Sequence, residues 1–148
     1  MLVDSDLFIS YLTGDFLEPL FRTVVNEASA GEIELFVSSE VYDDVITALR
    51  SQRVPTEKVI DFVIDMKKIP HKSVPVTADL SAEALTIYRA HGGSRKLHYF
   101  DSYHVATAKN FEMSLLTSDK YIIKSARQLG VHVIDVRTLK PNGRESQE

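Results

Sequence analysis

Four aspartates stand where metal-assisted chemistry would need them. Asp4 closes the apolar run Leu2-Val3, Asp119 follows Leu115-Leu116-Thr117-Ser118, Asp101 opens an Ala-rich helical stretch, and Asp44 lies inside a helical pattern over residues 40–52. An Asp after a strand and ahead of a helix is a favoured N-cap, accepting backbone N–H groups and complementing the helix dipole. Capping alone does not account for Asp each time, because Ser, Thr and Asn cap about as well and bring no charge. Parallel strands would put their carboxyl ends at one edge, so these carboxylates should converge. Two like charges ~4 Å apart repel by about 4 kcal/mol at an effective dielectric near ~20, which raises pKa values and costs stability. A hard divalent cation with oxygen ligands removes that conflict, and Mg2+ takes a few carboxylates along with water and substrate phosphate. The pattern points to a Mg2+ or Mn2+ site.

The helical wheel selects among the acids of residues 40–52. Val41, Val45, Ala48 and Leu49 form the apolar stripe. At about 100° per residue, Asp44 lies at the border of that stripe, Glu40 sits farther round, and Asp43 points nearly opposite. Asp44 is therefore the first choice, with Glu40 the second. Asp101 heads a stripe with His104, Val105 and Ala108, where His104 reads as a packed, hydrogen-bonded residue rather than a ligand. The five histidines show no HExxH or similar spacing, so no zinc site is expected.

The elements that must position these residues alternate in kind. Strands are expected at 1–3, 33–37, 72–77, 113–117 and 131–134, and helices at 7–12, 16–30, 40–52, 55–68, 78–90, 101–111 and from Ser118-Asp119 to Leu129. The stripe of residues 16–30 comprises Phe16, Leu17, Leu20, Phe21, Val24, Val25 and Ala28. Strands alternating with helices imply right-handed crossovers, hence a three-layer α/β/α fold with a central, mostly parallel sheet of about five strands. In such sheets ligands sit outside the carboxyl ends of the strands, where strand order reverses.

Composition bounds the rest. The chain has 148 residues with 44% hydrophobic and 26% charged content, which suits one domain over residues 1–139, followed by a loose tail over 140–148. Against 21 Asp+Glu stand 17 Lys+Arg, a net charge of −4 that argues against a broad basic nucleic-acid surface. The absence of cysteine excludes a disulfide scaffold, a thiolate zinc site and a cysteine nucleophile. No apolar run approaches the roughly 20 residues of a membrane span, and the start lacks the basic-then-apolar pattern of a signal peptide. A cytoplasmic protein without membrane contact is the expectation.

With these residues in view, the chain resembles the PIN-domain ribonucleases. Leu2-Val3-Asp4-Ser5-Asp6-Leu7 resembles the family's opening strand, and Val37-Ser38-Ser39 followed by Asp44-Val45 resembles its Ser-Ser segment with a later acidic residue. Phe100-Asp101-Ser102-Tyr103-His104-Val105-Ala106-Thr107-Ala108 is similar to its Asp-initiated, Ala-rich helix, and Leu115-Leu116-Thr117-Ser118-Asp119 to its Thr-x-Asp strand end. Two positions depart from the family's pattern: Asp44 stands where Glu is usual, and Asp6 where Asn or another small polar residue is commoner.

The resemblance implies a metal-dependent ribonuclease, in many relatives the toxin partner of an antitoxin that inserts into the acidic groove. Asp4, Asp101 and Asp119 would hold a first Mg2+ or Mn2+, with Asp44 shared with a second ion or reaching through water. Ser5, Asp6, Ser39, Glu40 and Thr117 would orient ligands or water around them. Hydrolysis by metal-activated water would leave 5′-phosphate and 3′-hydroxyl ends. Arg89, Arg95 and Lys96, around Gly92-Gly93, are the candidates for RNA phosphate contacts. Relatives often pair, and the apolar helix over residues 16–30 could serve a homodimer as well as a core.

Two other readings use the same residues. Asp4-Ser5-Asp6 also satisfies the Asp-x-Asp start of haloacid-dehalogenase phosphatases, in which the first Asp attacks phosphate, with Ser38-Ser39 as phosphate binder. That fold wants a cap insertion and a second acidic pair, whereas Asp119 is followed by Lys120-Tyr121. A PIN-like binding module without activity is the other reading, supported only by Asp44 in place of Glu.

Overall fold

Period-two alternation in the short central strands sorts the molecule into layers. In the computed structural model, which describes residues 1–141, β1 (Leu2–Val3) pairs with β4 (Leu115–Thr117) so that Leu2 faces Leu115 and Val3 faces Leu116. Successive side chains leave a strand on opposite faces. Accordingly, Val3 and Leu116 enter one hydrophobic core, and Leu2 and Leu115 enter the other. The first core is covered by α1 (Ser5–Thr13), α2 (Glu18–Ser29), α3 (Val41–Ser51) and α4 (Thr56–Met66). The second is covered by α5 (Ala78–His91), α6 (Tyr99–Asn110) and α7 (Lys120–Leu129).

With β2 (Phe36–Ser38), β3 (Lys72–Val74) and β5 (Val133–Asp135), the sheet has five strands in the order β3-β2-β1-β4-β5, every neighbouring pair parallel. The chain runs outward from β1 to β3 and then returns to the other side of β1 at β4. Strand order therefore reverses between β1 and β4, and a crevice opens at their carboxyl ends. No helix among the described residues is long and apolar enough to cross a membrane.

Several boundaries differ from expectation for identifiable reasons. Pro75 cannot donate to a ladder, and β3 ends at Val74, whose carbonyl accepts from the Ser39 N–H. Phe16 is no part of a buried stripe: it sits in the turn after α1 and is 83% exposed, while Asp15 accepts from Leu17 N–H. The rest of the α2 stripe, including Phe21, Val24, Val25 and Ala28, is core rather than an open dimer face.

The most consequential shift is in α6. It starts at Tyr99, two residues before Asp101, behind a His98 that makes no side-chain cap. Tyr99 packs edge-on against Tyr88 and Tyr103 and bonds the Tyr103 hydroxyl at 2.9 Å, so aromatic contacts rather than a capping carboxylate hold the first turn. Asp101 is thus free of capping duty. The loose tail expected over 140–148 lies, apart from Lys140 and Pro141, outside the described residues.

Candidate functional site

β1 ends one residue before Asp4, which is 1% exposed and caps α1. One oxygen, Oδ1, accepts from the Ser5 N–H at 2.7 Å and the Ser5 hydroxyl at 3.3 Å. The other, Oδ2, accepts from the Thr117 hydroxyl at 2.7 Å, across from the end of β4. Asp6, on the first turn of α1, accepts from the N–H of Ser118 at 2.8 Å and from the Ser118 hydroxyl. These bonds stitch the ends of β1 and β4 together and fix the orientation of Asp4.

The helical-wheel choice of Asp44 brings that residue to the same place. Asp44 lies in the first turn of α3, and the Nε2 of His104, on α6, donates to its Oδ2 at 2.8 Å while standing 3.7 Å from Asp4 Oδ1. Asp101 is 6% exposed and, one helical turn before His104, faces the same way. Asp4, Asp44, Asp101 and His104 each present a ligand atom within 4.8 Å of the others. A second group joins Asp101 to His98 and Asp119, also within 4.8 Å. Asp119 does cap α7, accepting from Ile122 N–H at 2.9 Å.

The remaining candidates separate. Glu40 precedes α3 without a capping bond and is not among the clustered ligand atoms. The Ser39 hydroxyl accepts from Val76 N–H at 3.0 Å and so fixes the chain after β3. Arg95 and Lys96 line a hollow beside Asp119, whereas Arg89 is exposed on α5 and does not.

His104 is the site residue whose role sequence reasoning missed. Its spacing from Asp101 showed that the two share a face, but nothing local revealed an Asp partner sixty residues earlier. Its Nδ1 is buried and has no hydrogen-bond partner among the described residues, so the ring is held from the carboxylate side alone.

The electrostatics follow from burial and crowding. Burial, then the charge of Asp6, push the Asp4 carboxyl up to about 7; Asp44 adds to the rise, while His104 and the Thr117 hydrogen bond oppose it. Asp101 is raised well above the carboxylate range by burial and then by Asp4, Asp44, Asp119 and Asp6. For His104, burial acts downward, but the Asp44 hydrogen bond and the charges of Asp4 and Asp44 outweigh it and the net shift is upward. The protonated form of His104 is thus favoured beside carboxylates that resist ionising together.

A family model for the PIN domain matches residues 1–128, which contain all four aspartates and His104. The chain belongs to the PIN domain family. Solved structures share the fold of this PIN domain at low identity. VapBC2 from Rickettsia felis bound to a promoter DNA fragment aligns with TM-score 0.64 and 12% identity, over 90% of this chain and 96% of that one. A toxin–antitoxin complex from Klebsiella pneumoniae aligns with TM-score 0.61 and 12% identity, over 91% of this chain and 96% of the other. The sarcin–ricin loop cleaving toxin VapC20 of Mycobacterium tuberculosis aligns with TM-score 0.56 and 16% identity, over 77% and 85%. A comparison with curated proteins finds no match.

Proposed function

We propose that this PIN domain is a ribonuclease that hydrolyses RNA phosphodiester bonds with Mg2+ or Mn2+, and that it is the toxin of a toxin–antitoxin pair acting in the cytoplasm. The observation that carries the reading is the convergence of Asp4, Asp44 and Asp101 within 4.8 Å at the carboxyl edge of the sheet. Two of these carboxyls are lifted by burial and mutual repulsion, a conflict that a divalent cation relieves. The donor set fits such an ion: hard carboxylate oxygens, no thiolate, and room for water on the Asp119 side. Asp4, Asp44 and Asp101 would hold it. Asp119, reached through Asp101, would serve a second ion or act through water, a different grouping from the Asp4–Asp101–Asp119 set that the resemblance implies.

When bound, the cation supplies Lewis-acid activation of water and positive charge facing the scissile phosphate. Thr117 and Ser5 present both oxygens of Asp4 in fixed directions, and His104 does the same for Asp44. Asp6 locks the Ser118 backbone, and with it the approach of Asp119. We read residues 1–139 as one domain, because β5 pairs with β4 and Val136 is buried in the first core.

The family match supports this over a phosphatase reading. The cleaving toxin from Mycobacterium tuberculosis supports nuclease chemistry, and the toxin–antitoxin complexes support a protein antitoxin as partner. The test is cleavage of structured RNA by the purified protein in Mg2+ or Mn2+ and in EDTA, beside Asp101→Asn. Metal-dependent cleavage leaving 5′-phosphate ends and lost in the variant is the expected result. No cleavage of several RNAs, with no metal-induced rise in melting temperature, sinks the catalytic reading in favour of a binding module.

A further inference from the structure

Beside the carboxylates lies a hollow of about 350 Å³ whose lining is cationic. Arg95 and Lys96 reach it from the loop before α6, Lys120 from the first residue of α7, and Arg137 from the short 3-10 turn Val136–Thr138 after β5. Among the described residues, the only carboxylate in the lining is Asp119. Arg95, Lys96 and Lys120 make no ion pair and no side-chain hydrogen bond among the described residues. In a chain of net charge −4 with its acids crowded next door, this is a separate concentration of uncompensated positive charge.

The cations are held in place. Arg137 donates to the Ser118 carbonyl at 3.0 Å and lies 3.4 Å from Asp135. The loop carrying Arg95 and Lys96 is pinned by Lys96 N–H to Gly93 O at 3.1 Å, by Leu97 N–H to His91 O at 3.2 Å and by the buried Leu97 side chain. Arg95 itself has φ +61, a left-handed conformation that a non-glycine residue rarely adopts, and it is held there by that loop. The positive end of the α7 dipole faces the same side.

The hollow and the carboxylate group share His98 and Asp119. A strand whose reacting phosphodiester lies at the carboxylates must therefore lay its next phosphates over the hollow or swing away from it. We propose that this hollow is a phosphate subsite for the RNA strand flanking the scissile bond, with Arg95, Lys96, Lys120 and Arg137 as its ligands. The subsite rests on the ribonuclease reading and extends it: an acidic protein grips a polyanion through one preformed pocket instead of a broad basic face. Arg89, on the exposed side of α5, takes no part.

The test is fluorescence anisotropy of a labelled single-stranded RNA in EDTA, which separates binding from hydrolysis, titrated between about 50 and 200 mM KCl. The variant is Arg95→Asn/Lys96→Gln/Lys120→Gln, with Asn at 95 because it accepts a left-handed backbone. The control is Lys58→Gln/Lys67→Gln, exposed positions in α4 and at its C-terminal end. All three changes are to exposed side chains, and Lys120→Gln alone gives a smaller effect of the same sign. The expected result is a loss of affinity of at least tenfold at low salt, with a log–log salt slope shallower by about 2, at ~0.7 per lost phosphate contact, and an unchanged control.

Equal affinity and slope for variant and wild type overturn the subsite, and so does a wild type that binds no RNA. Cleavage in Mg2+ or Mn2+ is scored separately. RNA bound through the hollow but never cleaved supports the subsite and defeats the catalytic reading. Cleavage at wild-type rate and affinity by the variant defeats the subsite alone.

Discussion

On one side of Asp101, Asp4 and His104 are packed almost without solvent and Asp44 is held by the imidazole; on the other, Asp119 is half-buried and His98 leaves 71% of its side chain exposed. The dry half contains carboxylates whose charges are costly and one imidazole that offsets them. The open half contains Arg95, Lys96 and Lys120, which have no side-chain partner among the described residues. Both halves concentrate like charge that the protein alone does not neutralise, but the complementary ions differ: a small hard cation for the first and a polyanion for the second. Proximity of the two lets a phosphodiester satisfy the second while its reacting group meets the first.

Asp101→Asn should break the dry half most severely. It removes a candidate ligand that belongs to both carboxylate groups, so cleavage should fall beyond the ~100-fold typical of losing a group that merely orients a ligand. The same variant should melt several degrees higher in EDTA, because a buried, repelled carboxyl is gone. A variant that loses activity and stability together would contradict the charge-conflict account.

His104→Leu should cost about 1–3 kcal/mol of metal-free stability, because Asp44 loses its hydrogen-bond partner on the buried side, and about 10–100-fold in cleavage through misdirected Asp44. Denaturant titration and cleavage rates read the two effects, and His104→Gln, which keeps a donor, should recover part of both.

Thr117→Val leaves Asp4 Oδ2 without its buried donor and should cost about 1–3 kcal/mol. Equal denaturant midpoints for this variant and wild type would show that Asp4 is oriented by Ser5 alone.

Acidity sharpens the comparison more gently. Folding raises the pKa values of Asp4, to about 7, and of Asp101, so it favours their protonated forms. That stabilisation is full below the unfolded carboxylate range and is lost as pH climbs through the folded values. The raised pKa of His104 has the same sign: its contribution is full below the unfolded value and fades above the folded one. The melting temperature in EDTA should therefore fall by several degrees from about pH 5 to about pH 8. Saturating Mg2+ or Mn2+ should shrink the fall, since the ion needs the carboxylates ionised. A flat profile in EDTA would mean that the dry half is less strained than its burial implies. The smallest effect belongs to the exposed Lys72–Glu34 pair, far from both halves: Lys72→Ala should leave cleavage and melting unchanged.

Local spacing alone was enough to read the α/β alternation, the parallel sheet and the placing of Asp4 and Asp119 at strand ends, because strand and helix periods are written in consecutive residues. It also separated Asp44 from Asp43 and Glu40, since residues on one helix share a rigid frame. Element ends were less legible. Aromatic packing with Tyr88, from another helix, sets the start of α6 at Tyr99, and that shift releases Asp101 from a cap into the crevice.

The pairing of His104 with Asp44, the stitching of Asp6 to Ser118, and the union of Arg95, Lys96, Lys120 and Arg137 in one hollow all join segments far apart in the chain. Sequence by itself determined which residue types face the carboxyl edge of the sheet. Tertiary structure alone decided which of them meet, because the separation between faces of different helices is set by how the cores beneath them pack.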